Sequence, residues 1–295
     1  MEQKFLTILT PTYNRSEKLV DLYESLKRQI NKNFIWYVID DGSEDQTEEK
    51  VSGFIEEDEF PIVYEKTQNG GKHRALNRAI PKLNSELTLI VDSDDLLLPE
   101  ATDVIFNDWI ENADRGIVGI MYLLGFSGFE AIGTQWPYDK LYGSEITHTI
   151  NKGISGDRTK VMLTDILKKY PFPEFEGEKF CSESVVWLAI AKKHSVMTRN
   201  KIIYIARYLE DGLTAAGRKK QVNNPLGAME NAKAYLDKKI KRKIIIKNAL
   251  LFTCYGLFAK KSVGAIIKES PMKLYVFLTL LPAVLLKKKW EKYLQ

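Results

Sequence analysis

The sequence predicts an α/β fold, with a mainly parallel central sheet flanked by helices and followed by a C-terminal helical extension. Through the first hundred residues, short apolar runs rich in β-formers alternate with stretches of helical spacing, the pattern of a parallel sheet covered on both faces. Polar signals collect at the C-terminal ends of these runs, at Thr10 to Arg15, Asp40 to Ser43, Gln68 to Lys72 and Asp92 to Asp95. Open α/β sheets bind ligands beyond those strand ends, so the four segments are expected to form one site. From Asn224-Pro225 onward the pattern reads as continuous helix, strongly basic from Ala228 to Asn248 and apolar from Ala249 to Phe258.

Taken in order, Phe5 to Thr10 is an apolar strand ending at Pro11. Ser16 opens a helix whose Leu19, Leu22, Tyr23 and Leu26 share one face. Strands are expected at Phe34 to Ile39, Ile62 to Glu65 and Leu87 to Val91, with helices over Asp45 to Ile55 and Lys72 to Leu83 and another beginning near Pro99. Beyond residue 96 the periodicity is less regular, giving strands at Ile117 to Leu124 and Ile202 to Tyr208 and a helix from Ser182 to Lys193. This is expected to continue the same domain, so that one domain covers residues 1–225 and a basic, amphipathic helical tail covers 226–295.

The chain has 295 residues, 44% hydrophobic and 28% charged, which suits one large domain with an appendage. Cys181 and Cys254 lie far apart and match no metal spacing, so a reducing compartment is expected and no disulfide. The N-terminus enters a short strand pattern without the long apolar stretch of a signal peptide, which points to the cytoplasm. A net charge of +4 hides an asymmetry: residues 238–295 hold 14 Lys and Arg against two acids, a balance of +12, leaving −8 for residues 1–237. The positive charge is interleaved with apolar runs, which points to an anionic membrane surface rather than nucleic acid. Leu274 to Leu286 is apolar for 13 residues between Lys273 and Lys287-Lys288-Lys289. Spanning a bilayer takes about 20. The segment therefore reads as an interfacial anchor on the inner face of the membrane, or else as a helical hairpin packed on the main domain or at a contact between copies. Self-association is left open.

Asp92-Ser93-Asp94-Asp95 gathers three carboxylates where a buried strand runs out. Carboxylates repel one another and resist desolvation, so this grouping suggests a bound divalent cation, Mg²⁺ or Mn²⁺. Mg²⁺ is usually held by one or two carboxylates plus substrate phosphates, which implies a phosphorylated ligand. The bland alternative is that Asp94 or Asp95 caps the helix near Pro99.

Four segments in this order resemble the family 2 inverting glycosyltransferases of GT-A fold, the kind used in bacterial surface-polysaccharide biosynthesis. They are Thr10-Pro11-Thr12-Tyr13-Asn14-Arg15, Val38-Ile39-Asp40-Asp41-Gly42-Ser43, Asn69-Gly70-Gly71-Lys72-His73-Arg74-Ala75-Leu76-Asn77 and Leu89-Ile90-Val91-Asp92-Ser93-Asp94-Asp95. The resemblance implies a nucleotide-diphospho-sugar donor. It places Asp41 at the uracil N3–H, a contact that favours UDP, and makes Thr10, Pro11 and Tyr13 a wall for the base, Tyr13 either stacking or packing at the strand edge. Asp40 is read as the carboxylate that holds its own turn. Gly70-Gly71 followed by Lys72 suits a diphosphate. The family often carries Arg just before the position of Asn77, where this chain has Leu76, so Lys72 or Arg74 is expected to take over that charge. Asp92 is assigned to the ribose or sugar, Asp94 to the metal, and Asp95 to a supporting or capping role. Relatives often add a downstream His ligand, but neither His148 nor His194 has a supporting context.

Inversion needs one base to take the acceptor hydroxyl proton. The resemblance puts it at the helix start in Gly177 to Trp187, often as a Glu-Asp pair. Here the pair reads Glu183-Ser184, making Glu183 the first candidate and Glu178 the second, against ordinary helix-start chemistry as the alternative. Residues 207–214 fall where relatives close a loop over the substrates, and Arg218 is either a pyrophosphate contact or part of a solvated face. The implied activity is metal-dependent transfer of a hexosyl or N-acetylhexosaminyl group from a nucleotide sugar to a glycan or lipid-linked glycan. A dehydrogenase-type domain is disfavoured because no Gly-x-Gly-x-x-Gly follows the first strand. A nucleotidyltransferase, and a membrane-associated nucleotide-sugar-binding or scaffold protein without turnover, are the remaining alternatives.

Overall fold

The computed structural model describes residues 4–207 and 217–294. Along the chain run β1 (Leu6–Thr12), α1 (Ser16–Lys27), β2 (Phe34–Asp40), α2 (Thr47–Glu56), β3 (Ile62–Lys66), α3 (Lys72–Ala79), β4 (Leu87–Ile90), β5 (Leu96–Leu97), α4 (Ala101–Asn112) and β6 (Ile117–Gly125). They are followed by β7 (Leu141–Gly143), β8 (Arg158–Leu163), α5 (Thr164–Leu167), α6 (Ser184–Ala191) and β9 (Ser195–Ile205). Helices α7 (Gly217–Asn223), α8 (Pro225–Ala234), α9 (Arg242–Phe258), α10 (Val263–Glu269), α11 (Lys273–Leu278) and α12 (Leu280–Trp290) complete the described chain. Two compact units result, residues 1–171 with 193–207, and residues 172–192 with 208–295. Of the residues expected in the first domain, 172–192 and 208–225, with α6 and α7, group with the helical unit.

In the first unit nine strands form one sheet in the order β3-β2-β1-β4-β8-β6-β9-β5, with β7 also paired to β9. The expected parallel pattern holds over β3-β2-β1-β4, where Leu6 faces Phe34 on one side and Leu87 on the other. Beyond β4 the sheet is mixed: β8 is antiparallel to both β4 and β6, whereas β6 and β9 are parallel. Every residue of β1 and β6 is buried, so these strands read as apolar runs rather than alternations. Helix α1 covers the sheet with the predicted face: Leu19, Leu22, Tyr23 and Leu26 are buried, and Tyr23 stacks on Phe54 of α2 at 4.1 Å between ring centroids. Trp36, Phe34 and Phe60 extend this aromatic cluster. Truncating one such ring to Ala typically costs about 3–5 kcal/mol.

In the second unit the single helix expected from Asn224 onward is broken into α8 to α12, and the first three breaks have a local cause. After α8, Asp237 Oδ1 accepts the Lys239 N–H at 2.8 Å, a side-chain turn that competes with helix. After α9, Lys260 adopts φ +57°, and Ser262 Oγ then caps α10 by accepting the Ala265 N–H at 3.2 Å. Pro271 prevents α10 from running on into α11. The unit packs around Ala228, Met229 and Ala232 of α8 and Ala249, Phe252 and Tyr255 of α9, all buried.

Candidate functional site

The four polar segments sit at strand ends, as the sequence indicates, and side-chain bonds tie the first three loops together. Asp40, fully buried at the end of β2, accepts the Ser43 N–H at 2.8 Å and the Ser43 hydroxyl at 2.6 Å, while its other oxygen accepts the Tyr64 hydroxyl at 2.6 Å. It is the turn-holding carboxylate that the sequence implies. Ser43 Oγ in turn accepts the Asn14 N–H at 2.8 Å, and Asn14 Oδ1 accepts the Glu44 N–H at 2.8 Å, which joins the β1 loop to the β2 loop. Gly42 has φ +82°, and a Cβ there would stand 2.9 Å from both Asn69 N and Thr67 O, so the β3 loop closes over a position only glycine can occupy.

Asp41 performs a task the sequence did not disclose. Its carboxylate accepts the Gly70 N–H at 2.8 Å on Oδ1, and the Gly71 N–H at 2.7 Å and the Asn69 amide at 3.1 Å on Oδ2. It therefore clamps the loop that precedes α3. A carboxylate offers about four acceptor positions, so these three bonds leave one on Oδ1 of this buried side chain. Of the residues expected to wall the base, Thr10 is fully buried and its hydroxyl accepts the Trp36 Nε1–H at 2.9 Å, so in this structure it joins β1 to β2 rather than facing a ligand. Pro11 is buried as well, and Tyr13 is exposed.

Gly71 is the N-cap of α3 with φ +95°, and it turns the backbone so that Lys72 opens the helix. Lys72 Nζ pairs with Asp92 Oδ1, bridging the third and fourth strand-end segments. The Arg74 side chain lies over Gly70, where an added Cβ would come within 2.9 Å of Arg74 Cδ. The charges expected to replace the missing Arg thus border the Asp41 clamp and the acidic segment.

Asp92, Asp94 and Asp95 each offer an oxygen, and these atoms lie within 4.8 Å of one another. Among the described residues this is the cluster of His, Cys, Asp and Glu side chains able to hold a metal ion. Asp92 and Asp94 are half-buried and Asp95 is buried. Burial pushes the Asp95 carboxyl up to about 7, assisted by Asp92 and Asp94 and opposed by two hydrogen bonds. Those bonds come from β9: the Tyr204 hydroxyl donates to Oδ2 at 2.7 Å and the Arg207 N–H to Oδ1 at 2.7 Å. The Tyr204 oxygen also accepts the Asp92 N–H at 3.0 Å. Three mutually repelling oxygens, one desolvated, suit a divalent cation of the Mg²⁺ or Mn²⁺ type. The helix-capping alternative fails, because α4 begins at Ala101 with Glu100 at its N-cap position.

The partnership of Tyr204 and Arg207 with Asp95 was not legible in the sequence, although a strand was expected across both residues. The register explains their arrival: β5, just after Asp95, pairs with β9 so that Leu97 faces Tyr204. The two other histidines stand elsewhere, His148 Nε2 at 2.9 Å from Tyr142 O and His194 Nε2 at 3.0 Å from the Tyr170 hydroxyl.

In the helical unit Glu183 is the residue before α6, half-buried, and its Oε2 accepts the Trp187 Nε1–H at 3.3 Å. Glu178 has a different task. Its two oxygens accept the Leu226 N–H at 2.7 Å and the Gly227 N–H at 2.8 Å, capping the N-terminus of α8 from a distance in sequence. Burial raises its carboxyl against those two bonds. With both oxygens engaged by backbone, Glu178 is a structural cap. Glu178→Gln is expected to lower stability by about 1–2 kcal/mol, because an amide nitrogen then faces a backbone N–H. Thermal melting checks this, with transfer by the folded fraction unchanged. Arg218 is also engaged within this unit, stacked 4.0 Å from the Trp290 ring centroid and donating to Gln221 Oε1 at 2.7 Å and to the Tyr255 hydroxyl. The expected pyrophosphate contact is therefore not the use the structure makes of it. Residues 208–214 of the expected closing loop lie outside the described residues.

Comparisons with known proteins agree with this geometry. The GalNAc(5)-diNAcBac-PP-undecaprenol beta-1,3-glucosyltransferase of Campylobacter jejuni is 24% identical over 239 residues, which take in 77% of this chain and 73% of that protein. Two Streptococcus pneumoniae glycosyltransferases match over shorter stretches, and the chain spans only 40% and 20% of their lengths. Among solved structures, Staphylococcus aureus TarS in complex with UDP-GlcNAc superposes with a TM-score of 0.64 at 18% identity, covering 98% of this chain and 81% of that one. The mannosyltransferase PcManGT from Pyrobaculum calidifontis, in complex with GDP-Man and Mn²⁺, superposes with a TM-score of 0.58 at 18% identity, covering 99% and 84%. These likenesses show the GT-A fold. The model of glycosyl transferase family 2 matches residues 7–169 of the 295. That stretch is more than half of the chain and carries all four strand-end segments, from the loop after β1 to the carboxylate cluster after β4, so the chain belongs to glycosyl transferase family 2.

Proposed function

We propose that the chain transfers a sugar from a nucleotide-diphospho-sugar, UDP-linked by preference, to a glycan or lipid-linked glycan, with inversion and with the help of Mn²⁺ or Mg²⁺. The observation that carries this reading is the carboxylate cluster, three oxygens within 4.8 Å, bridged by the Lys72–Asp92 pair to the Asp41-clamped glycine loop. Carboxylates with a lysine and an arginine close by suit a metal–diphosphate headgroup, where each charge offsets the next. A divalent cation held by Asp94 would supply Lewis-acid stabilisation of the departing diphosphate, with Asp92 toward the ribose or sugar.

The rest of the chemistry falls to the chain's own groups. The free acceptor position on Asp41 Oδ1 takes a base N–H, and uracil has one at N3 where cytosine has none. Tyr13 offers the exposed aromatic surface for that base. Lys72 and Arg74 meet the phosphate charge. In the transfer itself, the acceptor oxygen forms a bond to the anomeric carbon as the bond to the diphosphate oxygen breaks. The nucleoside diphosphate leaves with the electron pair, and Glu183 takes the acceptor hydroxyl proton. Two relatives support the acceptor and donor classes: the Campylobacter enzyme is named for a polyprenol-diphosphate-linked glycan, and the TarS structure holds UDP-GlcNAc.

Thermal-shift measurements with UDP-, GDP- and CDP-sugars, with and without Mn²⁺, test the donor assignment. Ligand at about 100 times its Kd stabilises the native state by about 2.7 kcal/mol. The melting temperature is expected to rise for the UDP-sugar with Mn²⁺ and to move little for the CDP-sugar or when EDTA is present. Equal shifts with all three nucleotides would remove Asp41 from base recognition. No shift with any would remove the donor site.

A further inference from the structure

The last two helices leave an apolar face uncovered. On α11, Val276 is buried and Leu274, Phe277 and Leu278 stand out; on α12, Ala283 is buried and Leu281, Val284 and Leu285 stand out. These six side chains are between 51% and 73% exposed. Each set follows i, i+3, i+4 spacing and so forms one face of its helix. Both helices pack on α9, whose Ala249, Phe252 and Tyr255 are buried. Single exposed leucines are ordinary, whereas six large apolar groups within twelve residues mark a surface made to be covered.

The charge around that face indicates by what. Lys273 starts α11, Lys288 and Lys289 end α12, and all three are exposed. Residues 238–295 contain two acids, and both are already engaged: Glu269 with Lys261 at 2.7 Å and Glu291 with Lys287 at 2.7 Å. The remaining excess of cations at the two ends of an apolar face complements a plane of anionic headgroups above acyl chains. No helix among the described residues is long and apolar enough to cross a membrane. The face is therefore suited to lie in the interface rather than to span it.

We propose that α11 and α12 dock the chain on an anionic lipid surface. Leu274, Phe277, Leu278, Leu281, Val284 and Leu285 enter the acyl boundary, and Lys273, Lys288 and Lys289 meet the headgroup phosphates. This stands independently of the glycosyl-transfer reading, because every residue it uses belongs to the helical unit and none to the donor site.

Flotation of the full chain with vesicles tests it. The chain is expected to float with phosphatidylglycerol-containing vesicles and to bind phosphatidylcholine vesicles at least about tenfold more weakly, a difference that high salt abolishes. Leu281→Asp with Leu285→Asp should lose at least about tenfold in binding to both. Lys288→Glu with Lys289→Glu should lose only the preference for anionic vesicles. All four positions are solvent-exposed, so circular dichroism and UDP-sugar affinity should match the parent chain. A parent chain left at the bottom of the gradient, or an Asp variant floating as well as the parent, would overturn the proposal. So would a parent dimer that the Asp variant turns into monomer, since the face would then join two copies. Flotation without any nucleotide-sugar binding would leave this proposal standing and remove the donor assignment.

Discussion

Asp94→Asn is expected to abolish divalent-dependent binding of the nucleotide sugar and to lower kcat/KM by at least about a thousandfold, the size of a lost Lewis-acid contribution of several kcal/mol. The same substitution should leave the fold intact. In the absence of metal its melting temperature should equal or slightly exceed that of the parent, because one of three carboxylate oxygens within 4.8 Å no longer repels the others. These opposite signs separate a ligand-holding carboxylate from a structural one. Calorimetric titration of UDP with and without Mn²⁺, beside a melt of the apo protein, reads both. Unchanged Mn²⁺-dependent affinity would take Asp94 out of the role, and a large loss of apo stability would make it a structural residue.

The second large effect is expected at Glu183. Glu183→Gln should retain donor affinity and lose about 10²–10⁴-fold in kcat, the range of a positioned general base. The amide keeps an oxygen for the Trp187 Nε1–H, which Glu183 Oε2 accepts at 3.3 Å, so the local geometry survives the change. Its site just before α6 adds a charge–dipole contribution of about 0.3–1 kcal/mol, too little to account for such a loss through unfolding. A fully active Glu183→Gln would move the base elsewhere, though not to Glu178, whose oxygens are held by Leu226 and Gly227.

The N-terminal strands were legible because their signals are local. Pro11, Gly42 and Gly70-Gly71 mark turns by their own backbone preferences, and the buried face of α1 is written in the spacing of Leu19, Leu22, Tyr23 and Leu26. The partner of Asp95 was not legible. Tyr204 lies 109 positions away, and only the pairing of β5 with β9 brings it there. Strand β9 begins at Ser195, well before the apolar run at Ile202, because polar Thr198 and Arg199 interrupt the apolar pattern of its first half, which pairs with β6 and β7. Strand β8 hides its buried Thr159 and Val161 behind Arg158 and Lys160. The helical tail was overextended because two of the residues that interrupt it, Asp237 and Lys260, act through a side-chain turn and a positive φ that composition does not reveal. Within the site, residue types at strand ends foretold the chemistry, whereas the use of Asp41 as a backbone clamp depended on a loop conformation.

That clamp has a consequence for how a donor associates. With Asn14, Ser43, Asp40, Asp41 and Gly70-Gly71 stitched to one another before any ligand arrives, the cradle is preorganised. The ordering entropy of three loops is settled during folding rather than at the moment of capture. Loosening a stitch far from the nucleotide, such as Ser43 to Asn14, should therefore weaken capture mainly through the entropy of association, with the enthalpy of the direct contacts little changed.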